Sequence, residues 1–204
     1  MVDVKGHVCF PTIVFEFKLD IPVHDRIQMI SYVKNSEIKI SGMKQTEDDI
    51  DKISYFKYFK NNIIELNKVV LEECKYEYED IIITNMWGNL LSPGQNHPPH
   101  THSNNFLSGV FYLQGNAEGD KTASEIHFFD PRPQSTVLIP RRKENIHGNS
   151  NIVAFQPREN IGYIFPSWLM HWVPPTGSER ISLSWNIIIK GHYGEPNTLQ
   201  NAYI

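Results

Sequence analysis

Between Ile81 and Ile189 the chain passes through seven short runs of β-branched and aromatic residues: "IIITNMW", "LSGVFYLQG", "SEIHFFDP", "STVLIP", "NIVAFQP", "IGYIFP" and "ISLSWNIII". Each is of strand length, and Gly, Pro and Asn punctuate the intervals, where the backbone has to turn. Strands this short bury their apolar side chains only by pairing with one another. The series therefore predicts an antiparallel sandwich or barrel over the C-terminal two-thirds.

The first eighty residues have another texture. "CFPTIVFEFKL" alternates through Ile13, Phe15 and Phe17, which predicts a strand. Pro22 followed by Ile27, Ile30 and Val33 predicts a short helix, and Ser41 and Gly42 a turn. A longer helix is expected to open at "TEDD", with Thr46 as its cap and Asp49 reaching back. Its apolar stripe is Phe56, Phe59, Ile63, Leu66 and Val70, which buries one face against a sheet. With no repeat, linker or low-complexity tract, the expected organisation is one domain over 1–204. Residues 1–80 supply a strand and supporting helices, and residues 81–192 the barrel core.

A net charge of −4 over 204 residues argues against general nucleic-acid binding, which needs a basic face. No stretch approaches the roughly 20 apolar residues of a membrane span, and the N-terminus lacks the pattern of a signal peptide. Cys9 and Cys74 lie far apart and read as free thiols of a reducing compartment, so a cytoplasmic location is expected.

The chemistry begins in "NHPPHTHSNN", which holds three of the nine histidines. Pro98 and Pro99 forbid a helix there. In an extended chain alternate side chains share a face, so His100 and His102 can meet one ion while His97 is out of phase. A third ligand has to come from elsewhere, and His171 in "FPSWLMHWVPP" is the best candidate. Three imidazoles suit iron, zinc, nickel or copper. His7, His24, His127, His147 and His192 have no comparable neighbours and read as ordinary surface or core histidines.

A second constellation lies in "RISLSWNI". Strand alternation puts Arg180, Ser182 and Ser184 on one face and Ile181, Leu183 and Trp185 on the other. A guanidinium inside a β-rich core needs an anion, because a buried unpaired charge is very costly. With hydroxyls two and four residues on, it makes a carboxylate cradle. Metal and cradle together point to a small dicarboxylate bridging them. Trp87, Asn89, Trp168 and Trp172 are candidates either for the pocket wall or for plain core. The polar, basic segment from Arg132 to Asn151 reads either as a lid or as a solvated loop.

In order, "H-x-H…SGVFYL…IFPS…H-x-V-x-P…R-x-S-x-S" resembles the iron(II)- and 2-oxoglutarate-dependent dioxygenases. More narrowly, it is similar to their small prolyl-hydroxylase-like group of marine bacteria and phages. The resemblance covers roughly residues 82 to 190. It implies a mainly β (α+β) fold, a double-stranded β-helix of jelly-roll or cupin-like type with N-terminal helices packed on one sheet. It also implies Fe(II), 2-oxoglutarate and dioxygen, and hydroxylation of a small-molecule or peptide acceptor. By position His100 would be the first iron ligand and His171 the distal one. Arg180 would hold the C5 carboxylate of 2-oxoglutarate, with Tyr112 of "VFYL" beside it and Ser184 as a cradle hydroxyl; Ser182 joins them through the strand alternation.

One departure stands out: most of the superfamily carries H-x-D or H-x-E, and this chain has His102 in that slot. Either three histidines hold the iron, the preferred reading, or His102 stands behind and a carboxylate such as Asp130 of "FFDPRP" reaches in. A neutral third ligand leaves the iron one positive charge higher. Two alternatives of other classes remain: a cupin-like three-histidine barrel that does not use 2-oxoglutarate, and a β-sandwich binding module with incidental histidines.

Overall fold

The fold follows from two apolar faces that need covering: the helix stripe after Phe56 and the alternate residues of the strands. A computed structural model describes residues 2–37, 42–115 and 125–204, with backbone only at 133–134. The elements in chain order are β1 (Phe15–Lys18), α1 (Val23–Lys34), β2 (Lys44–Gln45), α2 (Lys57–Glu73) and β3 (Asp80–Leu91). They continue with β4 (His97–His100), β5 (Leu107–Gln114), β6 (Ile126–Phe129), β7 (Ile152–Phe155) and β8 (Ile161–Pro166). The last are β9 (His171–Val173), β10 (Arg180–Lys190), β11 (His192–Tyr193) and β12 (Ala202–Tyr203).

Strands β1-β8-β5-β10-β3-β2 form a large antiparallel sheet, and β4-β9-β6-β7 a smaller one facing it. The chain crosses repeatedly between the two, which is the double-stranded β-helix.

The central strands β8, β5 and β10 of the large sheet are buried on both faces. On its outer face, α2 lays Phe59 against Phe111 and Trp185, with ring centroids 5.2 and 5.7 Å apart. Ile63, Leu71, Leu183 and Ile187 complete this layer, and each such side chain taken out of water contributes about 1.5–3 kcal/mol. Trp185 lies flat across β5 because its partner there is Gly109. A Cβ at that position would come within 2.1 Å of the indole. On the inner face, Val110, Tyr112, Tyr163 and Phe165 meet Ile126 and Phe128 of the small sheet and Leu169. This inner layer carries the site.

Three local expectations are corrected. The long helix starts at Lys57, after two 3-10 turns (Ile50–Lys52 and Ser54–Phe56), and Thr46 does not cap it. Thr46 instead accepts a hydrogen bond from the Gly88 N–H at 2.9 Å and donates to the Glu47 carbonyl. Pairing of β2 with β3, and the Met86 N–H to Asp48 carbonyl bond, hold residues 44–49 along the sheet edge, where a helix cannot begin. "STVLIP" is no strand: it forms a 3-10 turn at Pro133–Thr136 and then irregular chain, with Val137 and Leu138 exposed. Strands β6 and β7 pair directly with each other, so residues 131–151 are left outside the ladder. In α1 the buried residues are Met29 and Val33, while Ile27 faces solvent. Of the expected turn, Ser41 lies outside the described residues, and Gly42 has φ +77°. Cys9 and Cys74 are both free.

Candidate metal centre

The two prolines keep β4 extended and shift its register, so that His97 pairs with Val173 and His100 lies directly opposite His171 on β9. The chain then turns, and the His102 N–H is held by the Ser167 carbonyl at 2.9 Å. His100, His102 and His171 thereby converge, with ligating nitrogens all within 4.8 Å of one another. Their ring centroids are 4.4 to 5.1 Å apart.

Hydrogen bonds settle which nitrogen of each ring points inward. His100 Nδ1 lies 2.7 Å from the Pro98 carbonyl and His171 Nδ1 2.8 Å from the Leu169 carbonyl. A carbonyl only accepts, so both Nδ1 atoms carry the proton and both Nε2 atoms keep a lone pair. His102 Nδ1 lies 2.6 Å from Asn186 Oδ1, and its buried Nε2 has no hydrogen-bond partner among the described residues. Nitrogen lone pairs gathered this closely repel one another unless a cation joins them. The donor set fits a divalent transition-metal ion.

Burial, reinforced by the neighbouring imidazoles, pushes His171 down to about 3, with the Leu169 hydrogen bond opposing. Burial likewise lowers His102 to about 4 against the pull of Asn186. Both rings are therefore neutral at pH 7 and ready to bind metal. In the unfolded chain they would take up protons near the ordinary value of 6.5. Between pH 6.5 and 4 the unfolded chain thus binds more protons, and the metal-free fold loses stability as pH falls. A tenfold difference in proton affinity between the folded and unfolded chain corresponds to about 1.4 kcal/mol, so a loss on the order of a few kcal/mol is expected by pH 4. Thermal unfolding of chelator-treated protein across this range measures it. A flat melting temperature would mean that these rings are not buried when metal-free.

The strand whose Asn186 contacts His102 also carries the cationic residue. Arg180 is buried on the inner face of β10, its guanidinium carbon 5.2 Å from the centre of the Tyr112 ring. Burial pushes the Tyr112 phenol up, and the Arg180 charge pulls it back. Ser182 sits between Asn89 on β3 and Tyr112 on β5. The Ser182 hydroxyl and Asn89 Oδ1 are buried without hydrogen-bond partners among the described residues, while Asn89 Nδ2 donates to Ser184 Oγ at 3.4 Å. A buried polar atom left unsatisfied costs about 1–3 kcal/mol. A polar group placed against these atoms would satisfy them.

The other candidates are placed as follows. Asp130 stays outside the cluster: its carboxylate accepts from Arg132 Nε at 2.9 Å and Nη2 at 2.7 Å, which holds it down at about 2. His97 is not in the cluster, yet it lies nearer than its phase suggests, 6.3 Å from the His100 ring. Burial, then the charge of Arg180, pushes it to about 3. Trp87 stacks on His102, with ring centroids 5.8 Å apart. Trp172 packs edge-on to His127, and Trp168 is 57% exposed, so it is neither wall nor core. His7, His24, His147 and His192 are exposed.

Sequence reasoning stopped at Ser184 and so missed Asn186, together with Ser108, Ser167 and Asn85 around it. One more step of the same alternation reaches Asn186. The serines carry no local signal, because only the pairing of β5 with β8 and β10 brings them there.

Residues 85–186 match the sequence profile of the family described as "Putative 2OG-Fe(II) oxygenase". No curated protein matches the chain. Among solved structures it resembles a Pseudomonas putida prolyl-4-hydroxylase, with TM-score 0.63 and 14% identity over 88% of this chain and 94% of that one. It also resembles the viral collagen prolyl hydroxylase of Paramecium bursaria Chlorella virus-1, solved with 2OG, with TM-score 0.58 and 14% identity over 89% and 98% of the two chains. A Trichoplax adhaerens prolyl hydroxylase, solved with a hypoxia inducible factor peptide fragment, gives TM-score 0.58 and 12% identity over 86% and 83%. At such identities these structures speak for the fold alone. The family match speaks against both the cupin-like barrel without 2-oxoglutarate and the sandwich with incidental histidines. No helix among the described residues is long and apolar enough to cross a membrane.

Proposed function

Because the chain belongs to the 2OG-Fe(II) oxygenase family, we propose that it hydroxylates a C–H bond of a peptide or small-molecule acceptor, with Fe(II) on His100, His102 and His171. Arg180 holds the distal carboxylate of 2-oxoglutarate, assisted by Tyr112, Ser182 and Ser184. The observation that carries this reading is the convergence of three imidazoles beside β10, whose Asn186 touches His102 and whose Arg180 is buried.

Iron(II), 2-oxoglutarate and dioxygen together supply the oxidation, in which one oxygen atom enters the acceptor and the other leaves in succinate as carbon dioxide is lost. The chain's own residues do the positioning. His100 and His171 belong to a paired ladder and are fixed by backbone carbonyls, so their nitrogens need no reorganisation to bind metal. Arg180 offers a planar fork that matches a carboxylate, which orients the keto end of the cosubstrate toward the histidines. Phe128 and Phe165 pack against the His171 ring, with centroids 5.8 and 4.8 Å away, and hold it in place.

A prolyl peptide is the first acceptor to test. The fold is that of prolyl hydroxylases, and residues 131–151 leave the small sheet beside the strand of His171, where the Phe129 N–H meets the Met170 carbonyl. Arg141 and Lys143 on that segment are exposed and suit an extended, anionic chain. Iron-loaded protein in air should convert 2-oxoglutarate to succinate slowly by itself and faster with a true acceptor. If iron-loaded protein forms no succinate under any of these conditions, the proposal fails.

A further inference from the structure

Of the three candidate ligands, His100 and His171 are oriented by backbone carbonyls, whereas His102 depends on a side chain. That side chain is Asn186, 3% exposed on the inner face of β10. Its Oδ1 lies 2.6 Å from His102 Nδ1 and 2.6 Å from Ser108 Oγ, and its Nδ2 donates to Asn85 Oδ1 at 2.7 Å. Ser108 Oγ is in turn 2.8 Å from Ser167 Oγ, and both serines are fully buried. The Ser167 carbonyl holds the His102 backbone N–H. The bonds close a ring: His102 backbone to Ser167, Ser167 to Ser108, Ser108 to Asn186, and Asn186 back to the His102 imidazole.

We infer that Asn186 is the positioning residue that makes His102 a metal ligand, by accepting its Nδ1–H and so fixing the lone pair on Nε2. The inference rests on the three-histidine reading of the site and deepens it. The alternative orientation of the amide excludes ligation. With the Asn186 NH2 group facing His102, Nδ1 would have to accept, Nε2 would carry the proton, and an N–H would point at the other two imidazoles. With Oδ1 facing His102, one oxygen accepts from both the ring and Ser108, while the NH2 group has Asn85. Every buried polar group of the ring is then satisfied, and the unpartnered His102 Nε2 becomes a donor atom aimed at the metal. In H-x-D sequences the corresponding slot carries an anion with no such requirement. A histidine there needs its tautomer chosen, and Asn186 is placed to choose it.

Two measurements test this. In metal-free protein, long-range 1H–15N spectra of the imidazoles should show His102 as the Nδ1–H tautomer. A predominant Nε2–H form overturns the inference, and no variant is needed to see it. Calorimetric titration with Ni(II) then compares wild type with Asn186→Leu and Asn186→Asp. The leucine variant should bind about 10–100-fold more weakly, as expected when the partner of a ligating histidine is lost. The aspartate variant keeps an acceptor, with Asn85 turning its amide to donate, and should bind at least as tightly as wild type. Wild-type affinity in the leucine variant overturns the role of Asn186 alone. Absence of Ni(II) binding by wild type overturns the three-histidine centre itself, which separates the two failures.

Discussion

His171→Ala is expected to abolish stoichiometric metal binding, whereas His97→Ala retains it. His171 is the one ligand brought from a distant part of the chain, and it faces His100 across the β4–β9 pair. Without it two nitrogens remain, too few for a facial set on a divalent ion. The ring is also a packing element, 4.8 Å from Phe165 and 5.8 Å from Phe128 by centroids. Its removal opens a cavity and should cost the metal-free fold about 2–5 kcal/mol, in the range of large-to-small core substitutions. His97, by contrast, is partnered across β9 with Val173 and contributes no nitrogen to the cluster. Metal content after exhaustive dialysis, with circular dichroism to verify folding, decides the matter. Full metal retention in a folded His171→Ala variant would remove His171 from the site, and metal loss in His97→Ala would make His97 a ligand.

What the sequence disclosed and what it hid divide along a physical line. Period-two alternation survives wherever a strand is paired on both sides, as β10 is between β3 and β5. Arg180, Ser182 and Ser184 are therefore legible as one face, and the same alternation continues to Asn186. The apolar stripe from Phe56 to Val70 was equally legible, because α2 has a single sheet to cover. The start of that helix was not. "TEDD" is a good capping pattern, but pairing of the preceding residues with β3 overrides it, a tertiary effect on a local signal. "STVLIP" failed for the converse reason: a β-prone run has no strand when its neighbours already pair with each other. At the site, the H-x-H pair was visible in the chain itself. The tautomers were not, since Pro98, Leu169 and Asn186 act through contacts that no spacing encodes.

Arg180→Ala should leave metal binding intact and weaken 2-oxoglutarate binding by about 2–5 kcal/mol, the cost of truncating one partner of a buried charge pair. Arg180 is on the opposite sheet from His100 and His171, so its loss leaves all three ligating nitrogens in place. It is buried against Tyr112, and burial pulls its pKa down. That electrostatic penalty is what an incoming carboxylate relieves. The substitution therefore removes both a bidentate partner and the reason for an anion to enter. Calorimetric titration of the Ni(II)-loaded protein measures the loss. The same titration with 2-oxopentanoate, which keeps the keto acid but has a methyl group in place of the far carboxylate, isolates its origin. Wild type should bind that analogue weakly, and Arg180→Ala should bind it no worse than wild type does, because the group that Arg180 reads is already missing. Arg180→Lys should recover only part of the loss, since an ammonium supplies the charge without the planar fork. Equal affinity of wild type and Arg180→Ala for 2-oxoglutarate would place its far carboxylate away from Arg180. An equal loss for both keto acids would show that Arg180 supports the shape of the site and does not read the cosubstrate.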